Sequence, residues 1–366
     1  MKYLVVFVFA LQIFSLYGQN LQAGFDPEEY LELMHVSIRT AVDSAYSSQF
    51  PPPSKYQLVY QSEVIGLQNL WEYWENEAGQ TGVISIRGTT QNPVSWLENF
   101  YSGMVPARGT LQLSKDFNWD YDLANHPRAA VHVGWLIATA YISAELMPML
   151  HQSYQDGTKN FLLIGHSQGG GIAYLLTAYL LQLQRKGQLP EEIRIKTYCS
   201  AAPKPGNLYF AYDYESMTFG GWGFNVVNSY DWVPQVPFSI QTIDDFTAVN
   251  PFKDAKSAIK KQKFPNRMVM RRVFNQLDRP TRKAQRNFSK YLGNKATKII
   301  QRNLPEFQKP DFVNSNQYVR TGTTVVLQPD EAYMAIFPDE PGKFFNHHLH
   351  KPYIDLTRRQ FQKQSD

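Results

Sequence analysis

Ser167 lies in the pentapeptide Gly165-His166-Ser167-Gln168-Gly169, between a short apolar run and a longer segment rich in Ala, Leu and Tyr. This spacing is that of the nucleophile elbow, Gly-x-Ser-x-Gly, in which a strand turns sharply into a helix. Small residues two positions before and after the serine relieve the crowding of such a turn. The serine hydroxyl then projects at a helix N-terminus, where backbone N–H groups can receive an oxyanion. The pattern predicts nucleophilic attack by Ser167 on an acyl carbonyl.

A serine nucleophile needs a carboxylate as well as a base, because the carboxylate orients the histidine that takes the serine proton. In elbow enzymes the acid follows the serine along the chain, and the histidine follows the acid. Asp231 comes just after an apolar strand pattern, whereas Asp213 and the pair 244–245 follow no comparable strand. Since α/β folds place ligand chemistry at the carboxyl ends of strands, we expect Asp231 to be the acid. The structural alternative for this aspartate is a cap or an Asx-turn.

Three of the eight histidines follow Asp231 in the chain, namely His347, His348 and His350. The base must come from this cluster if the order of serine, acid and histidine holds. Three histidines within four residues could also bind zinc, but no acidic or cysteine partner accompanies them at a useful spacing. We therefore expect a base here, with no metal and no cofactor.

An oxyanion hole needs a second donor besides the backbone amide of the residue after the nucleophile, which is Gln168. Residues 82–87 are predicted to form a strand that breaks at Gly88. Such a break would leave the amide and hydroxyl of Thr89 free to point at the site. A plain strand end is the alternative, and this stretch alone favours it.

Apolar strand patterns alternate with helical patterns along the chain that carries these residues. Strands are predicted over 56–67, 70–77, 82–87, 161–164, 193–199 and 223–228, and helices over 26–46, 92–101, 129–150 and 172–183. Such alternation indicates an α/β fold, with a layered sheet in one domain. We find no segment after the N-terminus that is apolar enough to span a bilayer.

The N-terminus predicts export. Met1 and Lys2 precede an apolar run over residues 3–14 and a small residue near position 18, which is typical of a secretory signal peptide. We expect the signal peptide to cover residues 1–18 and the mature chain, 19–366, to be secreted or periplasmic. The only cysteine, Cys199, excludes an intrachain disulfide.

Residues 251–310 form a strongly basic segment. They carry 17 Lys or Arg against three acidic residues, a net charge of +14 in a chain whose total is +4. We predict a basic, mainly helical insertion, for which a solvated surface is the common explanation and contact with an anionic membrane or lipid interface the alternative. An exported chain without a nucleic-acid-binding motif is not expected to bind nucleic acid. The sequence does not indicate an oligomeric state.

Several motifs, taken in order, resemble those of the class 3, or fungal-type, lipases. They occupy residues 87–89 with 95–100, 131–135, 165–170, 200–207 and 226–234. The resemblance covers about 80–237 and resumes at about 317–356. It implies an α/β-hydrolase fold with a central, mostly parallel sheet and an insertion at about 240–318 between acid and base.

The resemblance also implies roles for individual residues. Ser167 is the nucleophile, Asp231 the acid and a histidine near position 347 the base. His347 is favoured because its His-x-Leu spacing ahead of a tyrosine fits the family's terminal motif, although His348 fits a direct His-Leu pair.

Around this triad the resemblance implies an oxyanion hole made by Thr89 and Gln168. It further implies that Trp96 lies on a mobile lid over the acyl site, and we place His166 on the same substrate-binding side.

These observations predict a secreted serine ester hydrolase that cleaves lipid acyl esters through an acyl-enzyme. Triacylglycerols, the first acyl position of phospholipids, and short or aromatic esters are all accommodated by the family. Acyl transfer to an alcohol is not distinguished from hydrolysis by the sequence. The alternative function is a non-catalytic secreted protein that binds lipid or glycan on the same scaffold. A protein that has lost catalysis is expected to lack one of the catalytic residues, whereas candidates for all three are present here.

Overall fold

A seven-stranded sheet is the centre of the computed structural model, which describes residues 21–41 and 44–362. The predicted signal peptide lies outside the described residues. In chain order the strands are β1 (Tyr56–Gln61), β2 (Trp71–Asn76), β3 (Thr81–Ile86), β4 (Met104–Pro106), β5 (Arg108–Gln112), β6 (Asn118–Asp122), β7 (Ala130–His132), β8 (Asn160–His166), β9 (Arg194–Ser200), β10 (Gly223–Asn228) and β11 (Thr323–Leu327). The helices are α1 (Pro27–Arg39), α2 (Ser44–Ser47), α3 (Pro93–Phe100), α4 (Val133–Gln155), α5 (Gln168–Arg185), α6 (Leu208–Met217), α7 (Ala255–Lys260), α8 (Asn266–Phe288), α9 (Ala296–Asn303), α10 (Glu331–Ile336) and α11 (His350–Phe361).

The main sheet has the order β1-β2-β3-β8-β9-β10-β11. The first three strands pair antiparallel, and β3, β8, β9, β10 and β11 pair parallel to one another. Every residue of β8 and of β10 is buried, which explains the continuous apolar run over residues 161–164 of β8, since parallel strands are covered on both faces. The predicted α/β class, with a mostly parallel central sheet, is confirmed.

Helices cover both faces of this sheet. Helices α4 and α5 belong to one apolar core, and α1 and α11 belong to a second core that includes side chains of β8 and β10. Helix α4 is long and apolar enough to cross a membrane, contrary to the prediction that no segment after the N-terminus is. In the most apolar stretch of α4, 67% is buried inside the protein, so α4 is packed as a core helix.

Some predicted boundaries were wrong. The helix predicted over 129–150 begins at Val133, because residues 130–132 pair with β4 as strand β7. The helix predicted over 26–46 ends at Arg39 and is followed by the short α2. Two small ribbons, β4 with β7 and β5 with β6, were not predicted, and neither was β11.

The segment between β10 and β11 is largely helical. Helix α8 continues through a π-helical turn, residues 289–295, into α9. Ile300 of α9 is fully buried in the same core as α4 and α5, so the end of this segment packs against the body of the fold. Strand β11 and helices α10 and α11 then return the chain to the main sheet, where the histidine cluster precedes α11.

Candidate active site

The turn from β8 into α5 holds Ser167 in a rarely populated backbone conformation. Its φ of 60° and ψ of −128° lie outside the helical and extended regions that non-glycine residues favour. A Cβ atom on Gly165 would lie 2.2 Å from the carbonyl carbon of Gly169, and one on Gly169 would lie 2.2 Å from the carbonyl oxygen of Ile86. Only glycine fits at these two positions, which explains why the elbow spacing was a reliable signal.

Ser167, His348 and Asp231 form a continuous hydrogen-bonded chain. Ser167 Oγ lies 2.8 Å from His348 Nε2, and His348 Nδ1 lies 2.7 Å from Asp231 Oδ2. Because a carboxylate only accepts, Nδ1 donates to Asp231, and Nε2 is the atom that can accept from the serine hydroxyl. The serine is partly exposed, whereas the carboxylate is buried. The arrangement can therefore take a proton from Ser167 and hold it on the imidazole.

Asp231 is held by two further donors. The Tyr353 hydroxyl donates to Oδ2 at 2.8 Å, and the backbone N–H of Val233 donates to Oδ1 at 2.9 Å. Burial, followed by the charge of Asp231, holds the pKa of Tyr353 well above its usual value, so this hydroxyl stays a donor. In the sequence, Tyr353 is only the tyrosine that follows the histidine cluster. Its aromatic character gave no sign of a hydrogen bond to the acid.

His347 was the favoured candidate for the base, but its ring bonds elsewhere and not to Ser167. Its Nδ1 lies 2.8 Å from the Tyr333 hydroxyl and its Nε2 lies 3.0 Å from Asp339 Oδ1. The two adjacent rings diverge in a turn, and His348 is the one directed to the serine. Motif spacing cannot decide between neighbours, because the turn geometry sets which side chain points inward.

The three histidines of the cluster therefore have separate surroundings. His350 Nε2 lies 3.2 Å from Ser37 Oγ, and its Nδ1 lies 3.2 Å from the Tyr46 hydroxyl. Burial lowers the pKa of His350 to about 3, so its ring is neutral at physiological pH. The three rings do not converge on a common point.

His166 lies beneath the triad and does not face a substrate, so its placement on the substrate-binding side was wrong. Its Nε2 lies 2.7 Å from the backbone oxygen of His348, and its Nδ1 lies 3.0 Å from Ser200 Oγ. Since the carbonyl can only accept, Nε2 carries the proton and Nδ1 accepts from the serine hydroxyl. Burial, with the charges of His350 and His348, holds the pKa of His166 well below its usual value. This neutral ring ties the elbow to the backbone of His348.

Thr89 and Gln168 lie on either side of the elbow, joined through Asn99. The Nδ2 atom of Asn99 donates to Thr89 Oγ1 at 2.9 Å and to Gln168 Oε1 at 3.4 Å. A Cβ atom on Gly88 would lie 2.9 Å from the His166 carbonyl oxygen, so the loop that carries Thr89 passes directly beside the nucleophile. Gln168 opens α5, and the first N–H groups of a helix have no carbonyl partner within that helix.

Helix α3, which carries Trp96, is fixed along one side. Asn99 accepts from Trp135 Nε1 at 3.0 Å. Glu98 is fully buried, and its Oε2 accepts from Asn69 Nδ2 at 3.0 Å. Burial holds the pKa of Glu98 well above its usual value, which favours the neutral acid. The mobility of a lid at this helix stays a prediction.

The other side of α3 belongs to an aromatic cluster beside the triad. The ring of Trp96 lies 6.1 Å from that of Phe345, which in turn lies 5.6 Å from Trp232 and 5.8 Å from His348. Phe100 extends this surface and is 59% exposed. The cluster presents an apolar surface next to the reactive serine.

Part of this chain is similar to known lipases. Residues 83–241 match the family described as lipase (class 3). The secreted mono- and diacylglycerol lipase 1 of Fusarium solani is 28% identical over 156 residues, which are 42% of this chain and 39% of that protein. The match therefore spans about two fifths of the length of that relative. The similarity concerns this shared region of the two proteins.

Two solved lipase structures are similar to this chain. Lipase II from Rhizopus niveus is 20% identical, with a TM-score of 0.42, over 58% of this chain and 74% of that one. The Lip2 lipase from Yarrowia lipolytica is 18% identical, with a TM-score of 0.41, over 60% of this chain and 79% of that one. The family match contains Thr89, Ser167 and Asp231 and ends before the basic segment and the histidine cluster. The match to the class 3 lipase family thus covers residues 83–241, which are less than half of this chain.

Proposed function

We propose that this protein is a serine ester hydrolase in which Ser167 is the nucleophile, His348 the general base and Asp231 the acid. The observation that carries the proposal is the hydrogen-bonded chain from Ser167 Oγ through both nitrogens of His348 to the buried carboxylate of Asp231. His348 takes the serine proton as Oγ attacks the ester carbonyl, and then gives it to the leaving alkoxide. A water molecule, activated by the same ring, cleaves the acyl-enzyme in the second half of the cycle.

The developing oxyanion is assigned to the backbone amides of Thr89 and Gln168. Helix α5 starts at Gln168, so its N-terminal dipole also favours negative charge at this position. Asn99 supports the assignment because it bonds to both side chains and keeps the two segments together. Removal of one such donor typically lowers kcat by about 10² to 10³.

The substrate class that fits best is an acyl ester of glycerol. The aromatic cluster of Trp96, Trp232 and Phe345 offers an apolar surface beside the serine, as an acyl chain requires. The related protein from Fusarium solani is named a mono- and diacylglycerol lipase, which supports the same class. Phospholipids, short or aromatic esters, and transfer to an alcohol are the other outcomes that a substrate survey would distinguish.

We also propose that the protein is exported. Its N-terminal sequence has the pattern of a signal peptide, and the Fusarium solani relative is named as secreted. The basic segment 251–310 is proposed to contact an anionic lipid interface.

Turnover of a series of nitrophenyl esters, with fluorophosphonate labelling alongside, tests the function. We expect turnover to rise with acyl chain length, and we expect Ser167→Ala to lose both turnover and labelling while remaining folded. A folded protein with neither activity, even with detergent present, would favour the non-catalytic binding protein. Near-native hydrolysis by Ser167→Ala would refute the mechanism.

A further inference from the structure

The N-terminal half of α8 projects from the protein. Every residue from 261 to 273 is exposed. The stretch 264–277 carries large apolar side chains that face solvent, with exposed fractions of 78% for Phe264, 60% for Met268, 56% for Val269, 44% for Met270, 55% for Val273 and 68% for Leu277. Exposed apolar side chains concentrated in one short stretch indicate an interaction site.

Four of these residues share one face of the helix. Val269, Val273 and Leu277 are spaced by four residues, and Met270 adjoins the first of them. This spacing places them in one stripe along an α-helix. We call these four residues the apolar face of α8.

The surroundings of this face are positively charged. Residues 261–277 include five Lys or Arg and no Asp or Glu. Arg271 and Arg272 stand in the middle of this stretch and are exposed. A surface that covers the apolar face must therefore also accept several positive charges, which favours an anionic partner.

The other half of α8 is attached to the protein, so the projecting half has a defined position. Asp278 is buried, and its carboxylate accepts from Arg282 Nε at 2.7 Å and lies 3.6 Å from Lys256 Nζ. Arg282 also pairs with Asp244, which precedes the insertion's first helix. Farther along, the Phe288 ring lies 6.2 Å from the ring of Tyr318 in a small buried cluster.

We propose that α8 docks on an anionic lipid surface, with its apolar face inserted among the acyl chains and Arg271 and Arg272 at the headgroups. A lipid surface provides both an apolar layer and negative charge, as a basic amphipathic helix requires. The inference rests on the proposed function, since an enzyme for lipid esters works where its substrate is assembled. The inference specifies that α8 is the part of segment 251–310 that contacts the lipid, and that its apolar face is turned toward the acyl chains.

Vesicle co-sedimentation of the Ser167→Ala protein tests the inference without lipid hydrolysis. The vesicles are phosphatidylcholine alone or mixed with phosphatidylglycerol. We expect binding to the mixed vesicles that weakens as salt is added. Val273→Ser with Leu277→Ser should reduce this binding at least about tenfold, because each buried CH₂ group contributes about fourfold. Arg271→Gln with Arg272→Gln should reduce it roughly 25-fold, at about fivefold for each charge.

Matched control variants remove the same chemistry elsewhere. Leu58→Ser with Val59→Ser removes a leucine and a valine that are 48% and 56% exposed on β1. Lys115→Gln with Lys343→Gln removes two exposed positive charges outside the insertion. Both controls should bind vesicles like the Ser167→Ala parent, within about twofold.

The proposal is overturned if the parent fails to bind the mixed vesicles, or if the α8 variants bind like the controls. It is also overturned if the parent is a dimer in solution that Val273→Ser with Leu277→Ser converts to a monomer, because a second copy would then cover the face. The same α8 substitutions are also made in the protein that retains Ser167. Turnover of a soluble short ester by these proteins tests the proposed hydrolase independently of membrane docking. The α8 variants should keep that turnover, whereas its absence from the unsubstituted protein would refute the hydrolase alone.

Discussion

Replacement of His348 and of His347, one at a time, separates two neighbours that the sequence could not distinguish. His348 Nε2 is the atom 2.8 Å from Ser167 Oγ, so His348→Ala leaves the serine without a base. General base catalysis contributes about 10² to 10⁴, and triad residues act as a unit. We therefore expect kcat for a soluble ester to fall by on the order of 10⁴.

His347→Ala removes hydrogen bonds to Tyr333 and to Asp339, whose side chain is 72% exposed, together with ring contacts to Tyr230 and Tyr333. The backbone oxygen of His347, which accepts from Asn228 Nδ2 at 3.0 Å, is kept. The expected effect is a loss of about 1 kcal/mol in the free energy of unfolding, with kcat within about threefold of the unsubstituted protein.

Initial rates on a short nitrophenyl ester, together with urea unfolding of each variant, measure both effects. Fluorophosphonate labelling should follow the same order, since it reports the reactivity of Ser167 without turnover. Equal loss of activity in the two folded variants would refute the assignment of His348. So would a His348→Ala protein that retains a tenth of the original kcat.

Two further predictions concern side chains that support the site. Tyr353→Phe removes the hydroxyl that donates to Asp231 while the ring remains, and we expect kcat to fall about tenfold, since a hydrogen bond to a charged group contributes about 1.5–3 kcal/mol; unchanged kinetics would show that His348 and the Val233 amide suffice to hold the carboxylate. Glu98→Gln tests the buried acid of α3, whose pKa is raised by burial, so the folded state binds more protons than the unfolded state above pH 4.5 and loses stability as pH rises. The amide avoids this loss, so urea unfolding should show the variant gaining up to about 1.4 kcal/mol relative to the original protein for each pH unit until the folded-state pKa is reached, and a pH-independent difference would contradict the neutral acid.

The parts of the fold that the sequence predicted are those with a local physical cause. A side chain on Gly165 or Gly169 of the elbow would clash with backbone atoms, and residues 161–164 of β8 are apolar because both faces of that strand are covered. Ser167, Asp231, Thr89 and Gln168 lie at or beside the ends of such elements, and the structure brings them to one edge of the sheet.

The features that could not be predicted from the sequence depend on side-chain direction and on contacts between residues distant in the chain. A turn directs His347 and His348 apart. His347 bonds to Tyr333 and His348 to Asp231, and neither partner is adjacent to the histidines in the chain. Strand β11, Thr-Thr-Val-Val-Leu, has the β-branched composition of a strand and was missed, whereas its pairing with β10 across an insertion of about 80 residues has no local signal.

The placement of His166 shows how the same limit affects the interpretation of a motif. A polar residue next to Ser167 is easily interpreted as a substrate contact, but β8 is buried on both faces and His166 is buried with it. It is 5% exposed and donates to the backbone oxygen of His348, while Ser200 and the Tyr30 hydroxyl complete the chain of hydrogen bonds below. His348 is thus positioned from two directions, by Asp231 through its ring and by His166 through its backbone. A single turn can bring the correct one of two adjacent histidines to the serine because its backbone is held from within the sheet.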